Sequence, residues 1–140
     1  MRRTLSILLA VVATFAIAGV AFAGNAHFIG TPSLSGATVN FKAAGLGNVD
    51  TATFTVTYDA TVNSQCWTRS GNKPAADNKT DTFTGLETTA TLPVRNGQTT
   101  GSITMTAPGS TLTCPAGQIL RTSTVFSNVV LTGEGLIYEF

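Results

Sequence analysis

Hydrophobic and polar residues alternate along several stretches of this chain, and the longest such stretch covers residues 51–62. The even positions are all apolar or aromatic and the odd positions are Thr or Asp; the even set is Ala52, Phe54, Val56, Tyr58, Ala60 and Val62. Strict alternation of this length predicts an antiparallel β-strand with one packed face and one solvated face. Residues 38–43 repeat the pattern, and the Gly-rich residues 44–48 predict a turn between the two strands.

Asn96 and Gly97 lie between two further alternating stretches. Asn-Gly is the preferred pair for a two-residue type I′ hairpin turn, because both residues tolerate positive φ. The predicted cross-strand pairs are Leu92 with Gly101, Ala90 with Ile103 and Thr88 with Met105. The apolar members of these pairs then share one face, which a slip of one residue would destroy. Pro93 cannot donate a backbone hydrogen bond, so we expect either that its strand lies at a sheet edge or that its nitrogen points outward from the sheet.

Two more strands are predicted in residues 118–140, divided by the Gly-rich residues 132–135. Their inward faces are ambiguous, since Val125, Val129 and Leu131 share one parity and Phe126 and Val130 share the other. This pattern predicts a β-bulge or a strand buried on both faces.

A first strand within residues 27–34 brings the predicted count to about seven. Short strands separated by turn signals indicate an all-β fold, a single antiparallel immunoglobulin-like β-sandwich, which we expect one disulfide to staple.

Composition favours strands over helices. Residues 24–140 contain 23 Thr, and only 11% of the whole chain is charged. Thr is β-branched and suits a pleated surface, whereas the scarce Glu, Lys and Arg are residues that decorate helices. A Thr-rich chain can also be a glycosylated stalk or a disordered linker. Aromatic residues spaced through the sequence, as core residues would be, favour the folded alternative.

The first 23 residues have the pattern of a secretory signal peptide. Arg2 and Arg3 precede a long apolar run that closes at the small-residue site Ala21-Phe22-Ala23, which predicts cleavage before Gly24. Residues 1–23 are therefore the predicted signal peptide and 24–140 the predicted β-sandwich domain. A retained membrane anchor is the alternative, since residues 5–23 are mostly apolar.

Cleavage would leave six basic and seven acidic residues and a formal net charge of about −1. Basic residues form no cluster, which argues against a nucleic-acid partner. Membrane contact is expected only through the signal segment before its removal.

Two cysteines in an exported chain, Cys66 and Cys114, predict one disulfide. The loop it closes has 49 residues, and the chain-entropy model then gives about 4 kcal/mol of stabilisation. The two cysteines and the distant His27 lack the spacing of metal-ligand pairs, so neither a metal site nor a cofactor is predicted.

Residues 68–81 are almost entirely polar and predict a long loop after the strand that contains Cys66. Trp67 has the opposite parity to Cys66 and is expected to point away from the core. An exposed indole beside polar groups suits carbohydrate. The candidate ligand-binding residues are Trp67, Arg69, Asn72, Asp77, Asn78 and Asp81. Alternatively, Trp67 packs on the disulfide or covers the end of the sheet.

Few residues of the sequence are suited to catalysis. His27 is the sole histidine, the seven carboxylates are scattered, and no Ser lies in a nucleophile-elbow pattern. Asp77, Asn78 and Asp81 carry oxygen donors, but their spacing departs from the calcium-binding loop of an EF-hand. The sequence predicts a protein that is not an enzyme.

Short turn motifs and the two cysteines carry a family resemblance. These are residues 33–42, Gly45-Leu46-Gly47-Asn48, residues 66–78 with Gly71-Asn72-Lys73-Pro74, and Cys114-Pro115. In these features the chain resembles uncharacterised small secreted bacterial proteins with an immunoglobulin-like β-sandwich. The resemblance implies that fold and bacterial secretion, and it assigns no activity or site residue.

The expected function is that of a secreted, non-enzymatic structural or interaction protein of the cell envelope or extracellular space. Its expected partner is cell-wall polysaccharide or another surface protein. The alternative is a carbohydrate-binding module that uses Trp67 and the 68–81 loop. A third hypothesis is a subunit that polymerises by strand addition, because the Thr-rich edge strands carry few charges.

Overall fold

The computed structural model describes residues 25–71 and 74–140, which form eight β-strands and no helix. The strands are β1 (His27–Phe28), β2 (Ser33–Ser35), β3 (Thr38–Ala44), β4 (Thr51–Thr68), β5 (Pro74–Pro93), β6 (Thr99–Thr104), β7 (Gln118–Gly133) and β8 (Leu136–Glu139). All pairs are antiparallel and belong to two sheets. The predicted all-β sandwich is confirmed. The number of strands is eight where about seven are predicted, because the predicted first strand is split into β1 and β2.

The smaller sheet is built around β3. β6 pairs with one side of β3, while β1 and β2 pair with opposite ends of its other side. The larger sheet has the order β5-β4-β7-β8, and its three long strands have 16 to 20 residues. The strands of the smaller sheet have at most 7 residues, so the smaller sheet is too short to cover the larger one.

The predicted alternation of β4 is confirmed, and the strand continues beyond the predicted end to Thr68. Its even residues, from Ala52 to Cys66, are buried on one side of the sheet, while its odd residues form the other side. The core combines β4 with β3, where Phe41 lies against Phe54 with ring centroids 4.6 Å apart. We call the core side of the larger sheet its inner face and the other side its outer face.

The predicted Asn96-Gly97 turn is present, but the predicted hairpin pairing is wrong. Both residues have positive φ, 52° and 70°, and reciprocal backbone hydrogen bonds join Arg95 and Gln98 across the turn. Beyond that bridge the strands separate, since β5 pairs with β4 and β6 pairs with β3. The turn therefore connects the two sheets. The expected edge position of Pro93 is confirmed, because β5 is an edge strand.

Two bulges interrupt the larger sheet beside Asp59. One of them explains why the inward-facing residues of β7 change from even to odd positions. On β7, Asn128 has a φ of 51° and inserts an extra residue, so Phe126 and Val129 both turn towards the inner face. The predicted bulge is confirmed. On β5, Gly85 marks the second bulge with a φ of 65°.

A connector without regular structure, residues 105–117, links β6 to β7. Hydrogen bonds to Thr106 and Thr111 and the bond to Cys114 attach it to β4 and β5. These attachments run along the inner face, which accounts for the burial of Ser64 and Cys66 beyond the reach of the smaller sheet.

Candidate functional site

The disulfide is confirmed and fixes the far end of the connector. Cys66 is the last buried residue of β4, and its Cα lies 5.5 Å from that of Cys114. The bond joins a strand end to the connector, so it is a staple between a strand and a loop and does not join the two sheets.

The predicted polar loop is shorter than expected. β5 begins at Pro74, so Asp77, Asn78 and Asp81 lie on a strand, while Arg69 lies exposed in the turn after β4. Asn72 falls outside the described residues. The sequence pattern misled here because residues 77–80 are all exposed in an edge strand, and a strand exposed on both faces shows no hydrophobic alternation.

The predicted ligand residues do not converge. Asn78 pairs with Gln65 and so lies on the outer face, whereas Asp81 pairs with the buried Val62 and lies on the inner face. Asp81 accepts hydrogen bonds from Thr111 of the connector, at 3.2 Å from the hydroxyl, and forms an ion pair of 3.3 Å with Lys79. Asp81 therefore holds the connector against β5.

The pKa of Asp81 fits that structural role. Partial burial pushes the pKa up, but hydrogen bonds from Thr111 and the charge of Lys79 outweigh it and hold the pKa below its usual value. The carboxylate stays ionised near neutral pH and keeps its contacts.

Trp67 lies on the outer face, as its parity predicts, and is half-buried there. Its indole N–H donates to Gln65 Oε1 at 3.1 Å. The guanidinium carbon of Arg121, from β7, lies 4.3 Å from the ring centroid, which is a cation–π contact. We call Gln65, Trp67 and Arg121 the Trp67 cluster. Sequence reasoning missed Gln65, although it lies two positions from Trp67 on the same face of β4. It also missed Arg121, because that contact depends on the β4–β7 register between residues more than fifty positions apart.

An open groove of about 340 Å³ lies where β5 turns into β6. Its lining residues are Lys42, Pro93, Arg95, Gln98, Thr99 and Thr100. Lys42 and Arg95 are both exposed and give the groove a positive charge. The sequence carried no signal for it, since Lys42 and Arg95 meet only through the pairing of β3 with β6.

Threonines line the outer face of β4 and β5. Thr53 pairs with Thr91 and Thr55 pairs with Thr89, with hydroxyl oxygens 3.2 Å and 2.8 Å apart. Cross-strand Thr pairs of this kind stabilise an exposed sheet face. The Thr-rich composition thus has a structural use in this sheet.

The groups with shifted pKa values are engaged in structural hydrogen bonds. Tyr58, Asp59 and Asp81 each contact backbone atoms of neighbouring segments. Within residues 25–71 and 74–140, no three His, Cys, Asp or Glu side chains come together as a metal site. The same part of the chain contains no helix long and apolar enough to cross a membrane.

The larger sheet has an open edge on β7. β8 pairs only with residues 130–133, and Phe140 adds one hydrogen bond to Val129. On that side of β7, no strand among the described residues pairs with residues 118–128, which we call the open edge. Every residue from 119 to 125 is exposed, so side chains on both faces of this segment contact solvent.

Comparison of the chain with models of protein families, with curated proteins and with solved structures finds no match.

Proposed function

We propose that this chain is an exported, non-enzymatic structural or interaction protein of the cell envelope or extracellular space. The observation that carries the proposal is the open edge of β7, which offers unpaired backbone groups and exposed apolar side chains to a partner. Strand addition to such an edge is a recurrent mode of protein recognition. Another surface protein fits this edge, and cell-wall polysaccharide is the other partner class.

Export is supported by the signal-like pattern of residues 1–23, which lie outside the described residues, and by the disulfide. Disulfides form and persist mainly in oxidising compartments outside the cytoplasm. The Cα atoms of Cys66 and Cys114 lie 5.5 Å apart, which is an ordinary distance for a disulfide, and a disulfide fits such a compartment.

An immunoglobulin-like topology is supported by the strand order. If β1 and β2 are counted as one interrupted strand, three strands form the smaller sheet and four form the larger. The chain crosses between the sheets after β3, β5 and β6, as in sandwiches of this type.

A non-enzymatic role is supported by the chemistry of the polar groups. The carboxylates of Asp59 and Asp81 are engaged by neighbouring backbone and side-chain donors, and His27 bonds to the carbonyl of Asn25 at 2.7 Å. The contacts of Asp59 and Asp81 hold segments of the fold together, and that of His27 is local.

Export is tested by producing the full chain with its own leader in a bacterium and weighing the intact protein outside the cytoplasm. The expected mass begins at Gly24 and is lower by two hydrogens because of the disulfide. An Ala21→Lys variant should block cleavage. A full-length, reduced protein retained in the cytoplasm would contradict the proposal.

A carbohydrate-binding module is the second candidate function, and the Trp67 cluster favours it. The indole lies on the outer face with the Gln65 amide and the Arg121 guanidinium beside it, and Asn78 lies across from Gln65. An aromatic ring flanked by directional polar groups is suited to a sugar. Because Arg121 covers part of the ring, a sugar would contact the remaining exposed surface.

Co-sedimentation of the exported protein with purified cell walls and insoluble polysaccharides tests this candidate. Saturable binding that Trp67→Ala abolishes and Trp67→Phe retains would support the module. Binding unchanged by Trp67→Ala, or none at all, would rule it out and leave the interaction protein.

A further inference from the structure

We propose that the open edge of β7 pairs with the same edge of a second copy, so that two larger sheets join into one continuous antiparallel sheet. The inference rests on the proposed function and deepens it, because it names the partner at that edge. The occupant is a second copy of this chain, in an arrangement with twofold symmetry.

The open edge differs from the other sheet edges in its lack of protection. β5 is long, but it carries features by which natural proteins block edge pairing, namely Asp77, Lys79, Asp81, Glu87, a proline at each end and the bulge at Gly85. β1, β2, β6 and β8 have only 2 to 6 residues. By contrast, residues 118–128 form a long stretch with one charge, Arg121, and no proline.

The open edge also has room for another strand. Ile119, Leu120 and Val125 retain 40%, 44% and 58% of their surface, although they lie within a paired strand. Ile119 and Val125 lie on the outer face and Leu120 lies on the inner face. This part of β7 therefore keeps exposed apolar surface on both faces, and a second strand would bury apolar surface on both.

The sequence of the open edge is compatible with pairing to a second copy of itself. A twofold axis through Ser123 pairs each residue with one on the same face of the second copy, as a continuous sheet requires. The resulting cross-strand pairs are Ser123 with Ser123, Thr122 with Thr124, Arg121 with Val125, Leu120 with Phe126 and Ile119 with Ser127. An apolar pair forms on the inner face, where Phe126 already packs on Tyr58 with ring centroids 5.5 Å apart.

The single charge is compatible with this pairing. Arg121 lies opposite Val125 of the second copy, so the two arginines are four residues apart along the strand direction. At about 3.4 Å per residue their separation is about 14 Å, beyond the Debye length of about 8 Å at physiological salt. Self-pairing therefore brings no like charges into contact.

A symmetric cysteine tests the register directly. Residues directly opposite in an antiparallel pair have Cα atoms about 4.5 to 5.5 Å apart, within the range of a disulfide. Ser123→Cys, at an exposed position, should therefore oxidise to a covalent dimer of the exported protein. Val125→Cys on the same face is the matched control, because its two copies would lie about 14 Å apart. Equal cross-linking of both variants, or of neither, would overturn the pairing.

Charge substitutions at one position give a second test by sedimentation velocity. The unmodified exported protein should dimerise. Val125→Lys places a cation opposite Arg121 and should raise the dimer dissociation constant about tenfold. Val125→Glu places an anion there and should leave the dimer as tight or tighter at low salt. Val49→Lys, at a similarly exposed loop position, is the control and should change nothing.

The proposal would be overturned by a protein that is monomeric at all concentrations, by a dimer indifferent to Val125, or by equal weakening from Lys and Glu. None of these outcomes bears on export, so an exported, oxidised monomer would leave the proposed function standing.

Discussion

The hydroxyl of Tyr58 donates to the carbonyl oxygen of Thr106 at 2.9 Å and accepts from the amide of the same residue at 3.0 Å. This reciprocal pair fixes the first residues of the connector to the middle of β4. Thr88 Oγ1 lies 3.0 Å from the same hydroxyl, so one buried side chain links the connector, β4 and β5. Burial raises the pKa of Tyr58, but its hydrogen bonds to Thr88 and Thr106 outweigh burial, and the net pKa is lowered.

Tyr58→Phe removes that hydroxyl and leaves the polar backbone groups of Thr106 without a partner in a partly buried position. We expect the free energy of unfolding to fall by about 2 kcal/mol, because unsatisfied buried groups cost more than a net hydrogen bond. Urea denaturation measures the loss. Tyr138→Phe, at a half-exposed position on β8, is the control. An equal loss from both variants would show that the hydroxyl of Tyr58 has no special role.

The carboxylate of Asp59 joins the two bulges of the larger sheet and gives the fold a pH dependence. It accepts from Asn128 Nδ2 at 2.7 Å and from the amide of Gly85 at 2.9 Å. The hydrogen bond from Asn128, followed by that from Gly85, holds the pKa of Asp59 below its usual value. The resulting stabilisation is present above the unfolded-state pKa of about 4 and is lost as the pH falls through the lower folded-state pKa.

Asn128→Gly tests this dependence, since glycine keeps the positive φ of the bulge and removes only the amide. The stability difference between the unmodified protein and the variant should be constant from pH 7 to about 5 and should shrink below about pH 4. Denaturation at each pH measures it. Asp81 also has a lowered pKa, but it is present in both proteins, so its contribution cancels in the stability difference. A difference that does not vary with pH would exclude the Asp59 hydrogen bond as its cause.

How much of this fold the sequence predicts depends on whether the information is local. The alternation of β4 and the Asn96-Gly97 turn are local, and both are confirmed. Strand partners are not local. Leu92 and Gly101 were predicted to pair in one sheet, and they meet across the sandwich from two sheets. Both arrangements place the same residues in the core, so a period of two cannot distinguish them.

The candidate site likewise combines features that a local sequence pattern predicts with features that depend on the pairing of distant strands. The parity of β4 placed Trp67 on the outer face, but the position of Arg121 over its ring depends on the register between distant strands. The open edge of β7 was equally invisible, because β8 is shorter than its neighbour and only the assembled sheet shows where its pairing ends.

Gly101 lies opposite Phe41 of the neighbouring strand and next to Leu92 of the other sheet, and its lack of a side chain is a packing requirement. A Cβ there would collide with the ring of Phe41 and would lie 2.8 Å from Leu92 Cδ1. Gly101→Ala should therefore destabilise the protein by about 1 to 3 kcal/mol through overpacking. Gly109→Ala is the matched control, because nothing lies within 4 Å of its Cβ. Thermal unfolding compares them, and similar melting temperatures would contradict the packing argument.

The last prediction concerns the disulfide, which holds the far end of the connector. Replacing both Cys66 and Cys114 with Ala removes the restraint on a 49-residue loop and should lower the free energy of unfolding by about 4 kcal/mol. Loss of the disulfide should also loosen the connector more than the smaller sheet. The connector is attached at Thr106, Thr111 and Cys114 to β4 and β5, and not to β3 or β6.

Amide hydrogen exchange under native conditions measures that local effect. Without the disulfide, exchange should quicken most in the connector and at the end of β4, while the smaller sheet changes only as far as global stability falls. In Tyr58→Phe the disulfide is intact, so exchange should quicken at the start of the connector and remain slow near Cys114. Uniform acceleration in both variants would mean that the connector and the sheets unfold as one unit.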